Sequence, residues 1–304
     1  MTDKLHSSGS DYAMKNIGFI GLGNIGHGIC KNLIKYGYSL AVYDIVRSRM
    51  DAFQGEAYLA KDPADVLEHS ECVFLSLPKS EVVESVIDTF IATGIQGKLI
   101  IDTSTSYPLS TQHLYNKVKQ NGGALIDAPL MAGPDEAEAG TLDIVVGGDQ
   151  EDYDRAVELF KTYCQSYKRV GEIGSGHMLK IAMNFCGLTE ALLFAQLFPV
   201  MDKAGIRPQD LFDAFEASGL HNWTSNFYNQ KYVKREYRLD FALQLGTKDL
   251  SYLKRIYEEY NIPGFILDGA LDLCRVSLMD QEEGKPPIDM SYPCETIYKM
   301  LEKK

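Results

Sequence analysis

"NIGFIGLGNIGHGI", residues 16–29, decides how this 304-residue chain is read. An apolar run suited to a strand ends in glycines at 21, 23 and 26, spaced G-x-G-x-x-G. "HGICKNLIKYG" (27–37) follows with helical spacing of its apolar residues. That glycine spacing carries weight only between a strand and a helix, and both flanks are present. Gly21 permits a tight turn, Gly23 lets the backbone approach a pyrophosphate, and Gly26 allows helix and strand to lie close. The opening N–H groups of the helix, at Asn24, Ile25 and Gly26, would meet the phosphates together with the positive end of its dipole. A second strand, "YSLAVYD" (38–44), ends on Asp44. It lies about 20 residues past the loop, where an acid takes the ribose 2′-hydroxyl and disfavours a 2′-phosphate. This favours NAD. Arg47 and Arg49 keep NADP open, because an arginine just past that strand can hold a 2′-phosphate.

Outward from the loop, "CVFLSLP" (72–78), "KLIIDTS" (98–104), "ALIDAPL" (124–130) and "LDIVVGG" (142–148) read as further strands. Helical segments separate them. "KDPADVLEHS" (61–70) offers Asp62 as N-cap with Pro63 at the first helical position, and "KSEVVESVIDTF" (79–90) starts with Ser80 in a capping role. Near-continuous apolar strands alternating with helices predict a parallel sheet covered on both faces. After "GEIGSGH" (171–177) no strand pattern remains. A helix from Ser175 to Ala204 would run about 45 Å and be kinked or locally disturbed at Pro199. Breaks follow at "KAGIRPQD" (203–210), "ASGLHN" (217–222), "NIPG" (261–264) and "EEGKPP" (282–287). The expected architecture is therefore α/β. A flexible polar tail (1–15) precedes a doubly wound Rossmann sheet (16–174), which a long helix joins to an all-α C-terminal domain (175–304) for substrate and oligomer contacts.

Composition narrows the partners. The net charge of −12 argues against a broad nucleic-acid surface, since phosphate binding draws on Lys and Arg. A local pocket for a small anion is compatible with it. The six cysteines are scattered without a C-x-x-C pair, which argues against metal ligation and a disulfide framework and reads as buried thiols in a cytoplasmic protein. "FCGLTEALLFAQLFPVM" (185–201) contains Glu190, Gln196 and Pro199 and reads as too short and too polar to cross a membrane. The wider stretch "MLKIAMNFCGLTEALLFAQLF" (178–198) is apolar on more than one face, so a homo-oligomer, dimer or tetramer, is expected to cover it.

Three further stretches carry a resemblance. "DAPLMAGPDEAEAGTL" (127–142) resembles the substrate-binding signature of the β-hydroxyacid dehydrogenase family, which includes the 3-hydroxyisobutyrate dehydrogenases. "GSGHMLKIAMN" (174–184) matches that family's G-x-G-x-x-x-K-x-x-x-N signature, and "GTKDL" (246–250) resembles its late K-D-L element. The resemblance covers the chain from Asn16 to the last helices. It implies an NAD(P)-dependent oxidoreductase that interconverts a small hydroxyacid and its semialdehyde or keto form. It further implies Lys180 as the catalytic lysine, Asn184 as the residue orienting the substrate, and Lys248 close to the cofactor. Ser104 or Thr105 would contact the nicotinamide ribose, and Leu77 and Pro78 would lie beside the cofactor. The family usually has Ser-Gly-Gly where this chain has Met131, Ala132 and Gly133. A methionine side chain donates no hydrogen bond, so the usual hold on a substrate carboxylate is altered.

Positions 180 and 184 share one helix face. Hydride transfer to a carbonyl builds negative charge on oxygen, which a protonated Lys180 would stabilise before donating its proton. In oxidation Lys180 would accept the hydroxyl proton, which requires a pKa below the ordinary ~10.4. Asn184 supplies hydrogen bonds without charge, and Gly174 and Gly176 let the chain bend into the helix. His221 and Trp223, in a break of the second domain, are candidates for direct substrate contact. His177 reads as a helix-start residue and Asp249 as a partner of Lys248. The candidate substrates are 3-hydroxyisobutyrate, tartronate semialdehyde, succinic semialdehyde and sulfolactaldehyde. The alternatives are a non-catalytic NAD(P)-binding scaffold and an imine reductase on the same fold.

Overall fold

The expected apolar runs pair into one sheet. The structure, a computed structural model, describes residues 14–131 and 133–302, so most of the expected tail and Ala132 lie outside the described residues. The elements run β1 (Asn16–Ile20), α1 (Asn24–Lys35), β2 (Ser39–Tyr43), α2 (Arg47–Asp51), β3 (Tyr58–Leu59), α3 (Pro63–Glu68), β4 (Cys72–Leu75), α4 (Ser80–Thr93), β5 (Leu99–Asp102) and α5 (Pro108–Gln120). They continue through β6 (Ala124–Asp127), β7 (Leu130–Met131), α6 (Pro134–Ala139), β8 (Leu142–Gly147), α7 (Gln150–Tyr163), β9 (Cys164–Gly171) and α8 (Ser175–Lys203). The chain closes with α9 (Pro208–Ser218), α10 (Trp223–Lys234), α11 (Leu243–Glu259), α12 (Phe265–Leu278) and α13 (Pro293–Glu302).

The strand order is β3-β2-β1-β4-β5-β6-β8-β7, with β9 beside β8. The pairs from β3 to β6 are parallel. Alternate strand residues point to opposite faces and build two cores. Ile17, Phe19, Phe74, Ile101 and Ile126 join Ile29 and Leu33 of α1 and Leu159 and Phe160 of α7. Ile20, Val73, Leu75, Ile100 and Leu125 join Val66 of α3, Ile87 and Phe90 of α4, and Leu114 and Val118 of α5. This is the double cover expected of the sheet.

Its far edge departs from the expectation of a wholly parallel sheet. β8 runs antiparallel to β6 and β7. A parallel return needs a crossover of a dozen or more residues built on a helix across the sheet, and α6 has six residues. The longer α7 lets β9 return parallel to β8, and β9, a polar "CQSYKRVG" edge strand, has no apolar alternation to announce it. Asp62 caps α3 as expected, accepting the Asp65 N–H at 2.8 Å. Ser80 does not cap α4, which begins at Ser80 itself; its buried hydroxyl instead accepts the Tyr107 N–H at 2.7 Å. Met14 packs against the first core and the Lys15 N–H meets Glu71, so the tail expected to reach residue 15 has joined the sheet by there.

The chain divides into two compact units, one up to Lys180 and one of Ile181–Lys304, so the division falls inside α8, six residues past the glycine where the sequence places it. The described part of the second unit is helical, with one isolated bridge between Ala242 and Asp289. α8 runs on through Pro199 as one continuous helix. At 29 residues, with mean hydropathy 1.5 over its most apolar window, it is long and apolar enough to cross a membrane, against the expectation of a stretch too short and too polar. The expectation counted the stretch from 185 to 201, and the helix continues beyond both ends. Its buried side packs as a core helix does: Phe194 and Phe198 meet Phe215 of α9, Phe198 also meets Tyr232 of α10, and the Tyr232 hydroxyl donates to the Ala191 carbonyl at 2.9 Å. All six cysteines are free. Five are buried and burial pushes their thiols up, Cys274 to about 11, but Cys186 is exposed, contrary to the uniform burial expected.

Phe198 is completely buried between two helices, so Phe198→Ala should cost about 3–5 kcal/mol of stability, read as a lower denaturant midpoint at unchanged slope.

Candidate active site

The strand order reverses at β1, with β2 on one side and β4 on the other. Open α/β sheets bind ligands at this point, outside the carboxyl ends of the strands. The glycine loop lies there. Gly21 has φ +99°, its N–H donates to the Tyr43 carbonyl at 3.0 Å, and a Cβ on it would collide with the Ser76 carbonyl at the end of β4. A Cβ on Gly26 would strike the Gly21 carbonyl, so the helix hugs the turn as the spacing requires. Gly23 heads α1, no side chain caps that helix, and nothing lies within 4 Å of where a Cβ would stand. An uncapped helix start beside a residue with free space is what a pyrophosphate needs.

Asp44 is buried at the carboxyl end of β2. Its carboxylate accepts the N–H of Leu22 at 2.7 Å and of Val46 at 2.8 Å, which locks the glycine loop to the acid. A carboxylate has about four acceptor sites, so a ribose hydroxyl would share the remaining ones with the exposed Arg49 guanidinium. Arg49 approaches Asp44 at 3.3 Å, while Arg47 turns away to Asp51 at 3.1 Å. These groups fit a nicotinamide dinucleotide.

Further along the edge, Leu77 is half-buried and Pro78 exposed, and the Leu77 N–H donates to the Ser104 hydroxyl at 2.9 Å. Ser104 is buried and Thr105 half-buried. β5 and β6 end on Asp102 and Asp127, which are register partners. Asp127, completely buried, accepts the N–H groups of Gly174 and His177 at 2.7 Å each and so caps the first turn of α8. Gly174 has φ +86°, the bend the sequence implied. Gly176 serves close approach, because a Cβ there would stand 2.8 Å from the Asp127 carboxylate. Lys180 follows one turn into α8, half-buried.

Met131 is half-buried on β7, opposite Asp143. The Gly133 N–H donates to Glu136 Oε2 at 2.9 Å, and Pro134 has no N–H to give. The segment thus spends its Gly133 donor on a carboxylate of its own. Asn32, buried on α1, donates to the Ala137 carbonyl at 2.9 Å and ties this segment to the phosphate-side helix.

In the second unit, Asn184 Nδ2 donates to Asp249 Oδ2 at 2.7 Å. Lys248 Nζ lies 3.2 Å from Asp249 Oδ1 and over the Tyr252 ring. Asn222 caps α10 and donates to Glu190 at 2.7 Å; His221 Nδ1 stands 3.0 Å from Glu216. Trp223 is 76 % exposed, stacks on Phe227 with centroids 5.3 Å apart, and borders a cleft of about 490 Å³ that includes Asn226, Gln230 and Lys231.

Residues 16–174 match the family model described as the NAD binding domain of 6-phosphogluconate dehydrogenase, and residues 174–291 match that of the NAD-binding of NADP-dependent 3-hydroxyisobutyrate dehydrogenase. The chain is 30% identical over 252 residues to a probable mitochondrial 3-hydroxyisobutyrate dehydrogenase of Dictyostelium discoideum, covering 79% of this chain and 78% of that one. It is 31% identical to the NAD-dependent L-serine dehydrogenase of Pseudomonas aeruginosa, covering 78% and 83%. The chain belongs to the β-hydroxyacid dehydrogenase family. It is an NAD(P)-dependent oxidoreductase acting on the CH–OH group of a hydroxyacid. Among solved structures, the fold is similar to the 3-hydroxyisobutyrate dehydrogenase of Mycobacterium tuberculosis solved with L-serine, at TM-score 0.84 and 22% identity over 93% of this chain and 99% of that one. It is also similar to an imine reductase variant from Myxococcus stipitatus in complex with NAD+, at TM-score 0.64 and 17% identity over 93% and 99%.

The sequence passed over Asp102, Asp127, Glu136 and the ring contacts of His177. The signal for the first two was legible: in "LIID" and "ALID" an apolar strand ends on an acid at the carboxyl edge of the sheet.

Gly21 and Gly23 should part company in this dehydrogenase. Gly21→Ala meets both an unfavourable φ and the Ser76 carbonyl and is expected to lower the melting temperature by several degrees, about 1–3 kcal/mol, whereas Gly23→Ala has room and should melt within a degree or so of wild type.

Proposed function

We propose that the chain oxidises a short 3-hydroxyacid, or reduces the matching semialdehyde, with Lys180 as general acid/base and with NAD preferred. The observation that carries this reading is the position of Lys180 one turn into a helix whose start is capped by the β6 carboxylate Asp127, at the sheet edge that also bears the glycine loop, with Asn184 one turn further along the same helix. When bound, the nicotinamide ring takes or gives the hydride. Lys180 Nζ takes the hydroxyl proton in oxidation and returns it to the oxygen in reduction. A carboxylate can only accept, so the bond to Asp249 turns the Asn184 nitrogen toward it and leaves Oδ1 to accept from the substrate. Relatives named for 3-hydroxyisobutyrate and for L-serine share a primary alcohol β to a carboxylate, which supports that class ahead of succinic semialdehyde and sulfolactaldehyde. The Gly133 donor is engaged by Glu136, so the carboxylate draws on other donors, with His221 and Trp223 as candidates. Asp44, already holding the loop from β2, supports NAD over NADP.

A second copy of the chain covers α8 in this reading. Met183, Cys186, Leu193 and Val200 form one exposed stripe at helical spacing. The free cysteines are consistent with a reducing, cytoplasmic compartment.

Absorbance assays with NAD+ and NADP+ over 3-hydroxyisobutyrate, L-serine and glycerate should show turnover of at least one acid. Lys180→Ala should lose about 100-fold or more in kcat, and Asp44→Ala should raise the KM for NAD+ more than that for NADP+. Undiminished kcat in a folded Lys180→Ala rules out the general acid/base role. Leu193→Glu should shift the light-scattering mass of the oligomer toward the monomer, and an unchanged mass removes the stripe from the interface.

A further inference from the structure

Three strand-end and helix segments converge on the imidazole of His177, a fully buried residue in the first turn of α8. Its Nε2 lies 3.1 Å from the Ser104 carbonyl oxygen and its Nδ1 lies 2.8 Å from Thr111 Oγ1 on α5. A carbonyl oxygen can only accept, so Nε2 carries a proton and donates it. The Thr111 hydroxyl is also 3.3 Å from the Tyr107 carbonyl, so it can turn between Nδ1 and its own helix. Two buried carboxylates face the ring. Asp102 Oδ2 is 3.8 Å from Nε2 and Asp127 Oδ2 is 3.9 Å from Nδ1. Asp102 is held by the Ser104 N–H at 3.0 Å and the Ser106 hydroxyl at 2.9 Å, Asp127 by Gly174 and by the main chain of His177 itself.

His177 is therefore fastened twice. Its N–H is held by the end of β6, and its ring is held by the segment that follows β5. One anchor on the main chain and one on the ring restrict both sliding and rotation of the first turn of the helix. Lys180, three residues on, lies on the neighbouring turn and takes its position from that start.

We propose that His177 is a positioning residue for the dehydrogenase reaction. Its Nε2–H bond to the Ser104 carbonyl locks the start of α8 to the segment after β5 and so fixes Lys180. The inference rests on the reading of Lys180 as general acid/base. The ring acts through the helix, not on the substrate.

Two polar variants separate this from a stability role. His177→Gln keeps an N–H long enough to reach the Ser104 carbonyl. His177→Asn keeps an amide on the Thr111 side and loses that bond. With NAD+ and the preferred hydroxyacid, kcat in His177→Asn should fall at least about tenfold while the hydroxyacid KM changes less than about threefold, and His177→Gln should stay within about threefold of wild type on both. Thr111→Val leaves the Ser104 bond intact and should keep the wild-type kcat. Equal kcat in the folded Asn and Gln variants overturns the proposal. Should His177→Asn fail to fold, a folded His177→Gln enzyme below a tenth of the wild-type kcat overturns it as well. In a Lys180→Ala background the difference between Asn and Gln should vanish, and its persistence shows that His177 acts elsewhere. A Lys180→Ala enzyme of wild-type speed instead sinks the general acid/base reading, so the two failures are distinguishable.

Discussion

The carboxylate of Asp127 is the joint between the sheet and the long helix. It sits at the end of β6 with no exposed surface, and a buried charge is costly unless it is hydrogen-bonded. The N–H groups of Gly174, just before α8, and of His177 in its first turn supply those bonds, and a carboxylate at a helix N-terminus also meets the favourable end of the dipole. The approach leaves no space for side chains. Gly176 abuts the Asp127 carboxylate, Gly147 does so from β8, and Gly174 turns the chain through a left-handed conformation. The glycines of "GSGHMLKIAMN" are thus packing and backbone requirements of one capped helix start, and the position of Lys180 follows from it.

A similar economy governs the cofactor edge. Asp44 is at once the acid at the end of β2 and the group that ties the Leu22 N–H to that strand. The Gly21 turn presses on the end of β4, and the Ser104 hydroxyl holds Leu77 there. Loops from four strands are bound to one another by groups that also line the edge of the sheet. The substrate segment joins the same edge through Asn32, whose amide on α1 reaches the carbonyls of α6.

Much of this was legible in the chain because it depends on local rules. The strand–glycine–helix order over 16–35, the apolar runs of the parallel strands and the Asp62–Pro63 helix start each follow from neighbours a few residues apart. The antiparallel β8 was not legible, because strand direction depends on whether the connection crosses the sheet. β9 was hidden by its polar composition, and Ser80 was misread because its hydroxyl serves a residue 27 positions away. The span of α8 was legible to within a residue, but its apolar character was underestimated by counting only 185–201, since Glu190 and Pro199 interrupt neither the helix nor its packing.

Residue types and their spacing by themselves determined the family, the dinucleotide fold, and the pairing of Lys180 with Asn184 on one helix face, because each is a matter of short-range periodicity or of an ordered motif. Only the tertiary structure decided what those residues lean on. Asp127 beneath the helix start, His177 between Ser104 and Thr111, and Asp249 behind Asn184 are all partners brought together by folding. Three of these unions span between 47 and 73 positions of chain. A hydrogen bond acts over about 3 Å of space, and no rule of local spacing reports which distant segments come that close.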